Sequence, residues 1–244
     1  MGQVIARYTP PRGLIEASTL HQGPDRDPGD IPSDTICMVQ FSSGTTVAPK
    51  PVALTHAQVL SNAKAIIDVI MAHSDTPPGG ACWLPLYHDM GLIGCVYVAV
   101  AGAGPLALIS PEVFLARPAL WLRAISRHRA TVSPAPNFAY ALCAERIRDE
   151  EMEGVDLSSW KLALNGAEPV APASLRMFNE RFAQWGLDAH ALTPVYGLAE
   201  ASLAVTFSEP ARPFSTRFID RDTFLDGKVT PIETTDGLEV VSVG

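Results

Sequence analysis

Residues 161–200 read KLALNGAEPVAPASLRMFNERFAQWGLDAHALTPVYGLAE, and their rhythm decides the fold. A short apolar run at 161–165 predicts a strand. It ends in the small-residue turn Asn165-Gly166-Ala167-Glu168-Pro169. Residues 172–185 predict a helix, and 191–196 a second strand. Short strands alternating with longer helices are the pattern of a parallel sheet covered by helices.

The same alternation extends towards the N-terminus. Strands are predicted at 35–41, 81–86, 106–109 and 130–133, and helices at 118–129 and 137–148. Thr55 is placed to cap a helix whose apolar stripe is Val59, Leu60, Ala63, Ile66, Ile67, Ile70 and Met71. Residues 1–34, rich in Pro, Gly and Asp, read as a lead-in loop. Residues 35–205 read as an α/β core, and 206–244, where Pro, Thr and Asp break short apolar pieces, as a β-rich segment. The expected fold is therefore α/β, a mostly parallel sheet covered by helices with a β-rich C-terminal tail.

Composition narrows the function classes. The chain has 244 residues, 47% hydrophobic and 18% charged, which is globular. Its net charge is −8 and no window collects a basic run, which argues against nucleic acid as a partner. Met1-Gly2-Gln3 leads into Arg7, Pro10, Pro11 and Arg12 without the apolar core of a secretory signal. Residues 91–111 carry no charge, but Gly91, Gly94, Gly102, Gly104 and Pro105 interrupt them. They predict a buried helix, a turn and a short buried strand, not a membrane span. Cys37, Cys82, Cys95 and Cys143 sit in apolar runs without C-x-x-C spacing, which fits buried free thiols in a reducing cytoplasm and argues against zinc.

Four loops carry residues suited to chemistry. Ser42-Ser43-Gly44-Thr45-Thr46, with Lys50 after it, offers hydroxyls, N–H groups and a compact positive charge to phosphate oxygens. It lacks the G-K-[ST] of a Walker A loop, and taken alone such a stretch is usually a plain turn. Tyr196-Gly197-Leu198-Ala199-Glu200 offers a ring to stack on a base and a carboxylate for Mg²⁺, or else a strand end with a surface glutamate. Asn165 to Pro169 would let a flat ligand approach the backbone, or would simply be a tight turn. Leu84-Pro85-Leu86-Tyr87-His88-Asp89-Met90-Gly91 holds a His-Asp pair. Neighbours on a strand point to opposite faces, so a direct His–Asp bond is not expected unless the chain turns there. A G-x-S-x-G elbow is missing, which weakens a hydrolase reading. All four loops follow candidate parallel strands, and ligands bind at that edge of open α/β sheets.

The order S-S-G-T-T-x-x-P-K, L-P-L-Y-H-D-M-G-L, N-G-A-E-P, Y-G-L-A-E resembles the adenylate-forming superfamily of acyl-CoA synthetases, luciferases and peptide-synthetase adenylation domains. Residues 83–94, 110–143 and 160–169 are most similar to its fatty acyl-AMP ligase branch. The resemblance implies part of that family's large domain, with ATP and Mg²⁺ as cofactors. It implies that Ser42, Ser43, Gly44, Thr45, Thr46 and Lys50 handle the phosphates. Gly166, Ala167 and Glu168 would pack adenine, and Tyr196, beside Gly197, would stack on it. Glu200, with Thr46, would hold the metal. His88 would stand where acyl tunnel and phosphate site meet, so that Lys50, His88 and Glu200 are the catalytic candidates. The helix around 138–142 would line the tunnel. A fatty acid would be the substrate, and an acyl carrier protein or a polyketide or peptide synthase carrier domain the acceptor.

Two glycines of the superfamily's phosphate loop are Val47 and Pro51 here, so the strand after the loop must accommodate a proline. Ala199 stands where a threonine is often found, as in the fatty acyl-AMP ligase branch. An acyl-CoA ligase would share the site and differ in its acceptor; the long segment at about 208–239 favours the acyl-AMP ligase. The family's ribose-binding Asp, hinge and small C-terminal domain with its lysine would lie outside Met1–Gly244. The resemblance thus implies a partial enzyme that makes little acyl-AMP by itself.

Overall fold

The computed structural model describes residues 29–41, 50–74 and 78–244. The Ser42 to Thr46 loop and most of the lead-in lie outside them. The chain divides into two units, Met1–Pro32 and Ser33–Gly244, and every described strand and helix belongs to the second.

Strand β1 (Ile36–Phe41) pairs antiparallel with β2 (Pro51–Thr55) in a two-stranded sheet of their own. This corrects the expectation that the strand at 35–41 lies in the parallel sheet. The 42–50 connection is too short for a parallel crossover, and a hairpin is what a short connection permits. Pro51, lacking an N–H, opens β2 opposite Phe41, where a strand end tolerates it.

Thr55 caps α1 (His56–Ala72) as expected. Its hydroxyl accepts the Gln58 N–H at 3.3 Å, and the Gln58 side chain accepts the Thr55 N–H at 2.8 Å, a capping box. Val59, Ala63, Ile66 and Ile70 are buried, but Leu60 and Met71 are more than half exposed. The buried stripe is therefore narrower than the seven residues expected, since only the arc at spacings of three and four meets the sheet.

The main sheet has the order β4-β3-β5-β6-β7-β8. Strands β3 (Gly80–Cys82), β4 (Leu106–Leu108), β5 (Val132–Ala135), β6 (Leu162–Asn165) and β7 (Leu192–Gly197) are mutually parallel. Strand β8 (Ala204–Phe207) closes one edge antiparallel to β7. Strand β3 is shorter than the expected 81–86, because Pro85 and the turn after it leave the ladder. Between β3 and β4 three helical pieces run end to end as α2: Asp89–Gly91, the π-helical Leu92–Tyr97, and Val98–Ala101. Residues 91–111 thus make the expected helix, turn and strand, but burial covers one side only. Val100 and Leu108 are exposed, whereas Ile93 and Cys95 are buried. Among the described residues no helix is long and apolar enough to cross a membrane.

Alternation along the strands divides the core into two layers. Val132, Leu162 and Leu164 face Ala63, Ile66, Ile70 and Val98 of α1 and α2. The opposite face meets α3 (Pro111–Ala116), α4 (Ala119–His128), α5 (Asn137–Arg146) and α6 (Pro172–Phe182) through an aromatic cluster. Trp121 stands at its centre, edge-on to Trp83, Phe114, Tyr140 and Trp160. Asn62 of α1 bonds both backbone groups of Ala204, donating to its carbonyl at 2.8 Å and accepting its N–H at 3.0 Å. That amide acts as a strand neighbour and fixes α1 over the β7–β8 end.

The tail is β-rich, as expected. Strands β9 (Thr216–Ile219), β10 (Pro231–Ile232) and β11 (Leu238–Val241) form an antiparallel sheet, with the short helix α7 (Arg221–Leu225) between β9 and β10. The Arg176 guanidinium on α6 grips both carboxylate oxygens of Glu239 on β11, one of them at 3.0 Å. Cys82, Cys95 and Cys143 are buried and Cys37 half-buried, all free thiols.

Candidate functional site

Strands β3, β5, β6 and β7 all end towards one cavity of about 280 Å³. Its wall brings together His88, Ala167, Tyr196, Gly197 and Glu200, drawn from three loops distant in sequence. Gln40 and Phe41, the last residues of β1, line it too, although β1 is outside the parallel sheet. Lys50, exposed just before β2, does not line it, nor do Gly166 and Glu168.

The Asn165 to Pro169 turn has a defined local cause. Gly166 donates its N–H to Ala135, and a Cβ there would stand 2.8 Å from the Val195 carbonyl oxygen, so only glycine permits this approach of β6 to β7. Ala167 then takes a positive φ of 68°, unusual for a residue with a Cβ, and presents itself to the cavity. The Glu168 carboxylate is spent elsewhere. It accepts the Phe138 N–H at 2.6 Å, completing the first turn of α5, where the N-cap position is Pro136 and offers no side-chain acceptor. Phe138 itself stands edge-on to Trp83 and does not line the cavity.

Tyr196 is half exposed near the end of β7, opposite Thr206 of β8, with its ring on the cavity wall. Glu200 lies in the tight turn Ala199–Ala201, its residue exposed to the cavity. Leu198 N–H bonds the Leu203 carbonyl at 2.8 Å across this turn. Among the described residues no cluster of three or more His, Cys, Asp or Glu could hold a metal. Glu200 and Asp89 are the carboxylates on this wall among the described residues; Mg²⁺, where it binds, keeps several waters and takes one or two protein carboxylates rather than an all-protein cage.

The His88–Asp89 pair meets the condition set for a direct bond. The chain turns at His88, which precedes Asp89–Gly91, and Nδ1 stands 2.7 Å from Asp89 Oδ1. The Met90 N–H is 3.3 Å from the same Nδ1 but 2.7 Å from the Asp89 oxygen. A protonated Nδ1 cannot accept it, so the shorter contact prevails and Met90 donates to Asp89. The Asp89 carboxylate raises the His88 pKa above its ordinary 6.5 through the hydrogen bond, with desolvation opposing it. The stability this pair adds is present below pH 6.5 and fades as pH rises through the higher folded-state value. Proton NMR of the imidazole is expected to give a midpoint above 6.5 that falls on Asp89→Asn. An unchanged midpoint in that variant would assign the shift to another group.

Sequence reasoning missed Gln40 and Leu203. Gln40 is the polar residue on the inward side of an apolar strand, a signal that was legible, and its Oε1 is buried without a hydrogen-bond partner among the described residues. Leu203 carries no sequence signal, because a leucine after a turn reads as ordinary core.

An open, mostly parallel sheet with a cavity at the carboxyl ends of its strands defines an α/β ligand-binding domain of the crevice type. The chain belongs to the AMP-binding enzyme family, which matches residues 4–226. It is 40% identical over 173 residues to the medium-chain-fatty-acid–[acyl-carrier-protein] ligase TtuA of Teredinibacter turnerae, covering 71% of this chain and 27% of that protein. It is 36% identical to the long-chain-fatty-acid–AMP ligase FadD23 of Mycobacterium tuberculosis, covering 99% of this chain and 43% of that one. The chain thus spans less than half the length of these relatives. A crystal structure of an L. pneumophila fatty acyl-adenylate ligase with acyl adenylate and pyrophosphate superposes with a TM-score of 0.82 at 38% identity, over 89% of this chain and 38% of that one. The adenylation domain of a keto acid-selecting NRPS module, bound to keto acyl adenylate, reaches 0.74 at 27% identity over 88% of this chain and 40% of that one.

Proposed function

We propose that this chain forms the adenylate site of a fatty acyl-AMP ligase. A fatty acid carboxylate oxygen attacks the α-phosphorus of ATP, the bond to the bridging oxygen breaks, and acyl-AMP and pyrophosphate result. The observation that carries this reading is the meeting of Ala167, Tyr196, Glu200 and His88 on one cavity. Tyr196 offers a flat face and Ala167 a closely approaching backbone, which together suit adenine. Glu200 would hold Mg²⁺, which supplies charge neutralisation at the phosphates. His88, kept cationic to higher pH by Asp89, faces the developing negative charge. Gln40 leaves a buried acceptor that a ligand donor would complete.

The Ser42 to Thr46 loop and Lys50 are assigned to the phosphates and Thr46 to the metal on the resemblance alone. A carrier-protein thiol is the proposed acceptor, as the acyl-carrier-protein ligase relative suggests, and a cytoplasmic location goes with it. The test is fatty-acid-dependent release of pyrophosphate from ATP, with acyl-AMP identified by mass. Release that does not depend on added fatty acid would reject the reading.

A further inference from the structure

Four hydrogen bonds tie the first turn of α5 to the end of β6 and the loop after it. The buried Tyr140 hydroxyl donates to the Leu164 carbonyl at 2.9 Å. The Asn137 side-chain oxygen accepts the Asn165 amide at 3.4 Å and the Ala171 backbone N–H at 3.0 Å. The Glu168 carboxylate accepts the Phe138 N–H at 2.6 Å. Asn137 also donates to the Ser174 hydroxyl of α6 at 3.4 Å, so one side chain joins the helices on both sides of the loop. Ala167 lies between the held residues Asn165 and Glu168, at a φ of 68° and on the cavity wall. A left-handed residue that carries a Cβ persists only where its surroundings over-determine it. Gly166, pressed against Val195, fixes the near side of Ala167. Glu168 and Asn137 fix the far side.

We infer that Asn137 and Glu168 are positioning residues. They clasp the 165–171 segment to α5, hold Ala167 left-handed at the wall, and so set the affinity for the adenine of a bound nucleotide. The inference rests on the adenylate reading of the cavity. It gives Glu168 a part other than packing against adenine, since its carboxylate is turned to Phe138 and neither Glu168 nor Asn137 lines the cavity. With the clasp open, the strain at Ala167 favours other conformations of the loop. Affinity then falls with the fraction of molecules that keep the competent one. A hydrogen bond to a charged acceptor biases such an equilibrium about tenfold.

Calorimetric titration of the 244-residue chain with AMP tests the clasp, with the melting temperature measured beside it. Glu168 is exposed, so the fold tolerates its replacement. Glu168→Ala and Asn137→Ala are expected to bind AMP about tenfold more weakly than the parent. Glu168→Gln removes the charge but keeps an oxygen to accept the Phe138 N–H, and is expected to stay within about threefold of the parent. Binding within about twofold of the parent by both alanine variants, whatever their melting temperatures, would make the clasp purely structural and overturn the inference. A Glu168→Gln chain as weak as Glu168→Ala would overturn it too, because affinity would then follow the charge of Glu168 and not the loop. Parent chain that binds no AMP would overturn the adenylate reading and the inference together.

Discussion

In an enzyme that carries this chain over its relatives' full length, Glu200→Gln is expected to lower fatty-acid-dependent pyrophosphate release by a factor of roughly 10² to 10³, with fatty acid affinity unchanged. The substitution keeps size and removes charge. Glu200 stands on the cavity wall in a tight turn, and in the proposed reading its carboxylate acts where phosphate and metal charge gather. A group that stabilises charge developing in the transition state affects turnover more than ground-state binding. Raising Mg²⁺ should recover part of the loss, because a weakened metal site is refilled by mass action. Equal losses in turnover and in fatty acid binding, insensitive to Mg²⁺, would make Glu200 a structural residue.

Trp121→Ala is expected to destabilise the chain by roughly 3–5 kcal/mol, enough to unfold much of it. Trp121 is fully buried and edge-on to four aromatic rings. Its indole N–H donates to the Ser133 hydroxyl at 2.8 Å, and that hydroxyl donates to the Ala81 carbonyl. The residue therefore ties α4 to β5 and, through Ser133, to β3. Truncation opens a cavity and leaves a polar chain half satisfied. Urea unfolding measures it; a shift below about 1 kcal/mol would mean that the cluster collapses around the gap. Trp121→Phe keeps most of the packing and should cost less, which separates the hydrogen bond from the ring.

The parallel sheet and its helices were legible because buried strands write themselves as apolar runs such as Leu162–Asn165, and α1 announces itself through Thr55 and Gln58. The β1–β2 hairpin was not legible, since an apolar run does not say which sheet it joins, and only the short connection decides it. The His88–Asp89 bond was legible only as a condition: strand geometry extends no further than the strand, and the chain has already turned at His88. The site was half legible. Tyr196 and Glu200 stand where their motif put them on one cavity, whereas Glu168 caps a neighbouring helix, a contact between residues thirty apart in the chain that no local pattern encodes.

One continuous space is proposed to hold an adenylate and an acyl chain together. Calorimetric titration with a non-hydrolysable acyl-sulfamoyl adenosine probes this space, beside AMP and the free fatty acid. Joining the two halves removes a separate association cost, so the conjugate should bind at least about a hundredfold tighter than either, and Tyr196→Ala should weaken it together with AMP. Binding of the conjugate no tighter than AMP would overturn the proposal, because it would place adenosine and acyl chain in separate sites.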